Sequence, residues 1–240
     1  MSQLAFTAFS LNGIDAQKFL QGQVTVHTER LPENENRYTA ICDLKGRIHF
    51  GLWIKKLNPE SFELVTTQDQ AEEFSKHIKK FGAFSKMKLE EIGQVFPNIV
   101  GHQTEFSQTE TDVKTWQLQA IQSGQAWITQ TTEHVFQPQE LRLHQRDGVH
   151  FDKGCYLGQE IVARLWFKAK PKHWLHLIQG KGEAPSPAAQ ITKDIEVVNS
   201  VAIEDGYIAL VVAKPTALEE LDLTVLDLPE ALSGDVARPS

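Results

Sequence analysis

The chain has little cysteine, and that narrows it first. Only Cys42 and Cys155 occur among its 240 residues, and neither belongs to a Cys-x-x-Cys pair. Two such residues cannot make a disulfide scaffold, so a reduced, cytoplasmic setting is expected. They also cannot hold an iron–sulfur cluster alone, which typically takes about four thiolates. Long apolar runs are missing as well. Stretches such as Tyr207 to Ala213 fall far short of the roughly 20 residues that span a bilayer. The opening Met1-Ser2-Gln3-Leu4-Ala5-Phe6 has neither a basic segment nor an apolar run, so neither a secretory signal nor a membrane partner is expected. Positive charge is in deficit, with 24 Lys+Arg against 31 Asp+Glu and a net charge of −7. That balance argues against a generic nucleic-acid coat protein, while leaving room for a local basic patch. There is no internal repeat. No GxGxxG follows a strand, and GxxxxGK[ST], GxSxG and HExxH are all absent.

What is present reads as an ordinary globular chain, with 41% hydrophobic and 23% charged residues. Its length suits one large domain or two to three small ones. Residues 9–22 read as strand then helix, with Asp15 as N-cap and Gly22 at the C′ position. Tyr38 to Ile54 reads as a hairpin turning at Asp43-Leu44-Lys45-Gly46, where Gly46 supplies positive φ. Ser61 to Thr67 alternates as a strand. A helix is expected from about Asp69 to Phe81, with a Thr67–Gln70 capping box, an apolar face of Phe74, Ile78 and Phe81, and Gly82 as its stop. Residues 83–91 read as a returning strand, and alternation of this kind suggests a ferredoxin-like α+β unit. Asn98 to Gln103 and Gln125 to Gln130 are candidate strands, and Thr104 to Lys114 a loop or weak helix. From His173 onward, short strands (His173 to Gln179, Ile191 to Ala202, Tyr207 to Ala213, Leu221 to Leu226) suggest a small C-terminal β-barrel, followed by a frayed tail over 229–240. The expected domains are 1–95, α+β; 96–170, a second α+β unit; and 171–228, the barrel.

The distinctive run is Lys153-Gly154-Cys155-Tyr156-Leu157-Gly158-Gln159-Glu160. If a helix starts near Gly158, Cys155 lies just before its positive end and close to Lys153, and both favour a thiolate. The alternative is a small buried cysteine in a tight turn permitted by Gly154 and Gly158. The nine histidines are scattered, and no metal pair is expected from them. Arg164, Lys168, Lys170, Lys172 and His173 form a basic strip without an acidic interruption. It is either a solvated face or a dock for an acidic ligand tail or RNA phosphates, with Trp166 and Phe167 as anchors or stacking platforms.

Lys153 to Glu160 resembles the signature of the YgfZ family, folate-binding proteins related to the glycine cleavage T-protein and implicated in iron–sulfur cluster maintenance and tRNA modification. Other stretches agree in order: Phe19-Leu20-Gln21-Gly22-Gln23-Val24-Thr25, Cys42-Asp43-Leu44-Lys45-Gly46-Arg47, Phe81-Gly82-Ala83-Phe84-Ser85-Lys86 and Phe136-Gln137-Pro138-Gln139-Glu140-Leu141. The resemblance implies α+β, ferredoxin-like domains around a central opening, with a C-terminal barrel. It implies tetrahydrofolate or a one-carbon derivative in that opening, with no stably bound metal. Cys155 would be the functional thiol and Lys153 its neighbour. Phe6, Trp127, Lys153, Tyr156, Gln159, Glu160 and Arg164 would contact folate. Gly154, Gly158, Asp43, Lys45, Gly46 and Arg47 would shape the site. Core packing is the other reading for Phe6 and Trp127. Between Trp127 and Phe136 the chain departs from the family pattern that would wall the ligand.

Three functions follow. The first is a folate-dependent accessory factor for iron–sulfur enzymes or assembly proteins, among them those that modify tRNA, acting without classical turnover. The second is a tetrahydrofolate-dependent aminomethyltransferase using an acid such as Asp43. The third is a non-catalytic module that binds RNA or protein through the basic face.

Overall fold

A computed structural model describes residues 4–101, 103–219, 221 and 223–238. Met1 to Gln3 of the N-terminal reading, His102 and Asp222 within two expected strands, and Pro239 and Ser240 of the expected tail lie outside them.

Six strands form one antiparallel sheet: β1 (Phe6–Asn12), β2 (Asn36–Cys42), β3 (Ile48–Asn58), β4 (Ser61–Thr67), β5 (Lys88–Val100) and β6 (Gln103–Ser107), in the order β2-β3-β4-β1-β5-β6. Side chains alternate between its faces because the strand period is two. On one face Phe9, Leu11, Ile41, Leu52 and Leu64 pack against α1 (Ala16–Gln21) and α2 (Ala71–Phe81). The other face carries Phe6, Ala8, Ala40, Trp53 and Val65, which meet α3 (Val113–Gln122), α4 (Gln159–Phe167) and the C-terminal sheet in a second core. β4, α2 and β5 make a split β-α-β unit straddling β1, as in ferredoxin-like folds. β5 runs unbroken across residues 95 and 96, so the segments on either side of that expected boundary share one sheet.

The C-terminal strands are β7 (Trp174–Gly180), β8 (Gln190–Thr192), β9 (Ile195–Ile203), β10 (Gly206–Ala213) and β11 (Thr224–Leu226), with α5 (Pro215–Leu218) after β10. They form a sheet in the order β11-β7-β10-β9-β8. Among the described residues no pairing joins β11 to β8, so this is an open five-stranded sheet, not a barrel closed by hydrogen bonds. One face has its own small core, and the other packs into the shared one through Leu175, Leu177, Val198 and Leu210.

Several local expectations are corrected. Gly82 closes α2 as expected, whereas Gly22 ends α1 at φ −85°, without a left-handed C′ turn. The Asp15 carboxylate does not cap α1 but accepts from Lys86 N at 2.7 Å. The Thr67–Gln70 capping box is not made: the Thr67 hydroxyl donates to Ile128 O and the Gln70 amide to His49 O. Phe81 is 49% exposed, because the face of α2 turns outward at its last turn. The strand expected over 83–91 starts only at Lys88, after a turn. Thr104 to Lys114 supplies most of β6 and the start of α3, whose Val113, Trp116, Ala120 and Ile121 follow helical spacing. Gln125 to Gln130 is no strand: the Asn199 side chain takes both backbone groups of Trp127, replacing a ladder. The tail is not frayed, since Leu232 and Val236 are buried and Arg142 Nη1 donates to Gly234 O at 2.7 Å.

Candidate functional site

The sequence-distant motifs meet at one junction. The β2–β3 turn places Gly46 at φ +71°, and Gly158, just before α4, sits at φ +79°. The two glycines face each other. A Cβ on Gly158 would stand 2.3 Å from Asp43 O, and one on Gly46 would stand 2.9 Å from the Ile161 side chain. Both therefore need the left-handed backbone and the missing side chain. Phe136 to Leu141 ties the junction to its surroundings: Ile48 N donates to Phe136 O, Gln139 Nε2 to Val162 O, and Leu175 N to Glu140 O.

Lys153 is the buried member of the junction. Its Nζ donates to Gln21 O at 2.7 Å, to Val26 O at 2.9 Å and to Val24 O, and stands 4.7 Å from the centre of the Tyr156 ring. Burial pushes its pKa down to about 7. The three carbonyls oppose that, because only the ammonium offers three protons. Lys153 thus clamps the end of α1 and the segment after it. Tyr156 is buried beneath it, whereas Gly154, Cys155 and Glu160 are exposed and Gln159 is half-buried. Cys42 lies fully buried in the hairpin, and burial pushes its thiol pKa up strongly.

Asp43 organises the hairpin. Its Oδ1 accepts from Lys45 N at 2.8 Å and Arg47 N at 3.0 Å, and its Oδ2 lies 3.0 Å from His134 Nδ1. Partial burial works to raise its pKa, but the bonds from Arg47 N, His134 and Lys45 N outweigh it and hold the carboxyl below its ordinary value. The Arg47 guanidinium donates to Val135 O. The Lys45 side chain is exposed on the turn.

A cavity of about 410 Å³ opens elsewhere, beside β2 and β3. Tyr38 and Trp53 give it an aromatic wall, their rings 4.6 Å apart. Tyr38 OH accepts from Ile128 N, which fixes the ring. Arg37 and Arg146 stand at the same cavity, with Arg37 Nη1 3.4 Å from Asp147 Oδ2. Burial, and then the charge of Arg37, push the Arg146 pKa down to about 10. Arg146 Nη1 donates to Ser123 O at 2.9 Å, which fixes its guanidinium at the cavity. Pro229 to Leu232 of the tail close one side.

Of the residues expected to bind folate, none lines this cavity. Phe6 is fully buried among Trp53, Phe106 and Trp116, and Trp127 packs against Trp116. Both are core residues. Tyr38 and Trp53 are the aromatics that sequence reading missed, although their alternation on neighbouring strands placed them on one face. The basic strip is interrupted in space: Lys170 Nζ pairs with Asp235 at 3.0 Å and His173 Nε2 with Asp194 at 3.4 Å. Arg164, Lys168 and Lys172 are exposed. Trp166 stacks on Phe151, and Phe167 carries Arg238 over its ring.

No protein-family model matches the chain. Its fold is similar to that of a glycine cleavage system aminomethyltransferase T from Bartonella henselae, with a TM-score of 0.66 at 12% identity, covering 93% of this chain and 83% of that one. The architecture is therefore of the T-protein class. A protein of Colwellia psychrerythraea called tRNA-modifying protein YgfZ is 30% identical over 234 residues, covering 75% of this chain and 71% of its own. An uncharacterized protein of Haemophilus influenzae is 28% identical over 221 residues, covering 82% and 78%. The chain belongs to the YgfZ family.

Proposed function

We propose that this protein is a folate-binding accessory factor that supports tRNA modification and the upkeep of iron–sulfur enzymes, with Cys155 as its working thiol. The observation that carries the reading is the cavity walled by Tyr38 and Trp53 with Arg37 and Arg146 beside it. Its volume falls in the range of small-molecule sites, roughly 300–1,000 Å³. Its donor set fits a planar heteroaromatic head with an acidic tail. Tyr38 and Trp53 would stack on a pterin, and the two guanidinium groups would hold glutamate carboxylates. Bound tetrahydrofolate would supply one-carbon chemistry. The chain's own part is to orient it and shield it from water.

The tRNA role follows from the name of the relatives and from family membership. Cys155 is exposed at the motif junction, where a partner protein can reach it. A single thiol there suits transient ligation or redox exchange with an iron–sulfur partner, which supplies the remaining ligands. The aminomethyltransferase reading is weaker. Asp43, its expected acid, is committed to two hairpin N–H groups and His134, and lies off the cavity wall.

Calorimetric titration with tetrahydrofolate and its one-carbon derivatives tests the reading. Wild type should bind one equivalent, while Trp53→Leu and Arg146→Gln, checked for folding by circular dichroism, should lose at least about tenfold in affinity, roughly 1.4 kcal/mol each. No binding by wild type, or full binding by both folded variants, overturns it.

A further inference from the structure

Beside the hairpin, three side chains from distant parts of the chain converge. His49 comes from β3, and Glu133 and His134 follow the short 3-10 turn Gln130–Thr132. One donor atom of each lies within 4.8 Å of the others. We propose that His49, Glu133 and His134 form a binding site for a divalent transition-metal ion, Zn2+ by the chemistry of its donors.

Two imidazoles and one carboxylate are a set that proteins use to hold zinc while leaving a coordination position open. A tetrahedral ion with bonds of about 2.0–2.1 Å keeps its ligands about 3.4 Å apart, so binding would turn the stacked imidazoles to bring donors that now lie within 4.8 Å onto one ion. The surroundings already orient the donors. His134 Nδ1 lies 3.0 Å from Asp43 Oδ2, the carboxylate–histidine pairing that fixes an imidazole's tautomer and leaves Nε2 its lone pair. Asp43 is in turn fixed by Lys45 N and Arg47 N. The His134 backbone is held at φ +59° with its N–H on Ile48 O at 2.7 Å. His49 stacks on Phe50 at 3.8 Å and on His134 at 4.3 Å, which sets the direction of its ring. His77, 5.9 Å from His49 between ring centres, is occupied by Gln23 and stays outside the donor set.

This site stands apart from the cavity, which none of the three residues lines. It does not depend on the folate reading.

The test titrates the full-length protein, stripped of metal by a chelator, with Zn2+ by calorimetry and with Co2+ by visible absorption. Wild type should take up one equivalent of Zn2+ and show a raised thermal midpoint, and Co2+ should develop the d–d bands of a four- or five-coordinate site. His134→Asn keeps the left-handed backbone, which asparagine tolerates, and should lose at least about a hundredfold in affinity. Glu133→Gln should lose a similar factor, and Asp43→Asn about ten- to a hundredfold. Cys155→Ser should retain the ion. Wild type that binds Zn2+ no more tightly than Glu133→Gln overturns the proposal, as does loss of the ion in Cys155→Ser. If His134→Asn does not fold, Glu133→Gln decides alone.

Discussion

The cavity and the motif junction are built by opposite means. The cavity is lined by residues common in any sequence, among them Tyr38, Trp53, Arg37 and Arg146. The junction is made of residues whose replacement is costly: a glycine facing a glycine and a buried ammonium on three carbonyls. Distinctive residues therefore mark where backbone segments must touch, and not necessarily where a ligand sits. Gly158, Gly46, Lys153 and Gln139 hold the hairpin, the segment after α1, α4 and the C-terminal sheet in register. Cys155 and Glu160 are the motif side chains left exposed.

The largest expected effect tests whether the motif glycines are alike. Gly158→Ala combines positive φ with a Cβ 2.3 Å from the Asp43 carbonyl and 2.9 Å from Cys42 Cβ. It should cost about 3 kcal/mol in denaturant unfolding. Gly154→Ala meets nothing within 4 Å and has no positive φ, so it should stay within about 0.5 kcal/mol. Equal effects would mean that the glycine pair does not set the junction.

A smaller effect separates the two regions directly. Lys153→Met keeps the apolar stem over Tyr156 but leaves the carbonyls of Gln21, Val24 and Val26 without their donor. The loss should be about 2 kcal/mol of stability, with tetrahydrofolate affinity unchanged within about threefold, roughly 0.65 kcal/mol. A folded Lys153→Met that loses folate tenfold would break the division between frame and cavity.

Much of the fold was legible because its signals are local. The β2–β3 hairpin follows from alternation and one glycine, and β4 ends where its alternation ends. The helix α4 was legible from its apolar face. Residues 104–122 were harder, because a polar surface disguised β6 and the apolar stripe of α3. The tail read as frayed because Leu232 and Val236 find their partners only in the fold. The site was less legible for a physical reason: a pocket wall is set by which strands become neighbours. Phe6 and Trp53 lie on the same face of the sheet, yet only Trp53 borders the cavity, and local sequence does not distinguish them. His49 and His134 likewise meet only through tertiary packing.

The two cysteines give the smallest stability effect and the sharpest chemical contrast. Cys42 is fully buried beside the Gly158 contact, and burial with the neighbouring Asp43 charge pushes its thiol pKa well up. Cys155 is exposed. Under native conditions iodoacetamide should label Cys155 alone, and Cys42 should react only after unfolding; mass spectrometry of the digested protein reads both. Cys155→Ser should change stability by less than about 0.5 kcal/mol, and Cys42→Ser, which puts a hydroxyl into an apolar contact, should cost about 1–2 kcal/mol. The order should reverse in a complementation assay for tRNA modification. There Cys155→Ser should lose function at wild-type protein levels, while Cys42→Ser should lose it only in proportion to protein level. Full complementation by Cys155→Ser would leave the motif as frame throughout, with no working thiol on its exposed side.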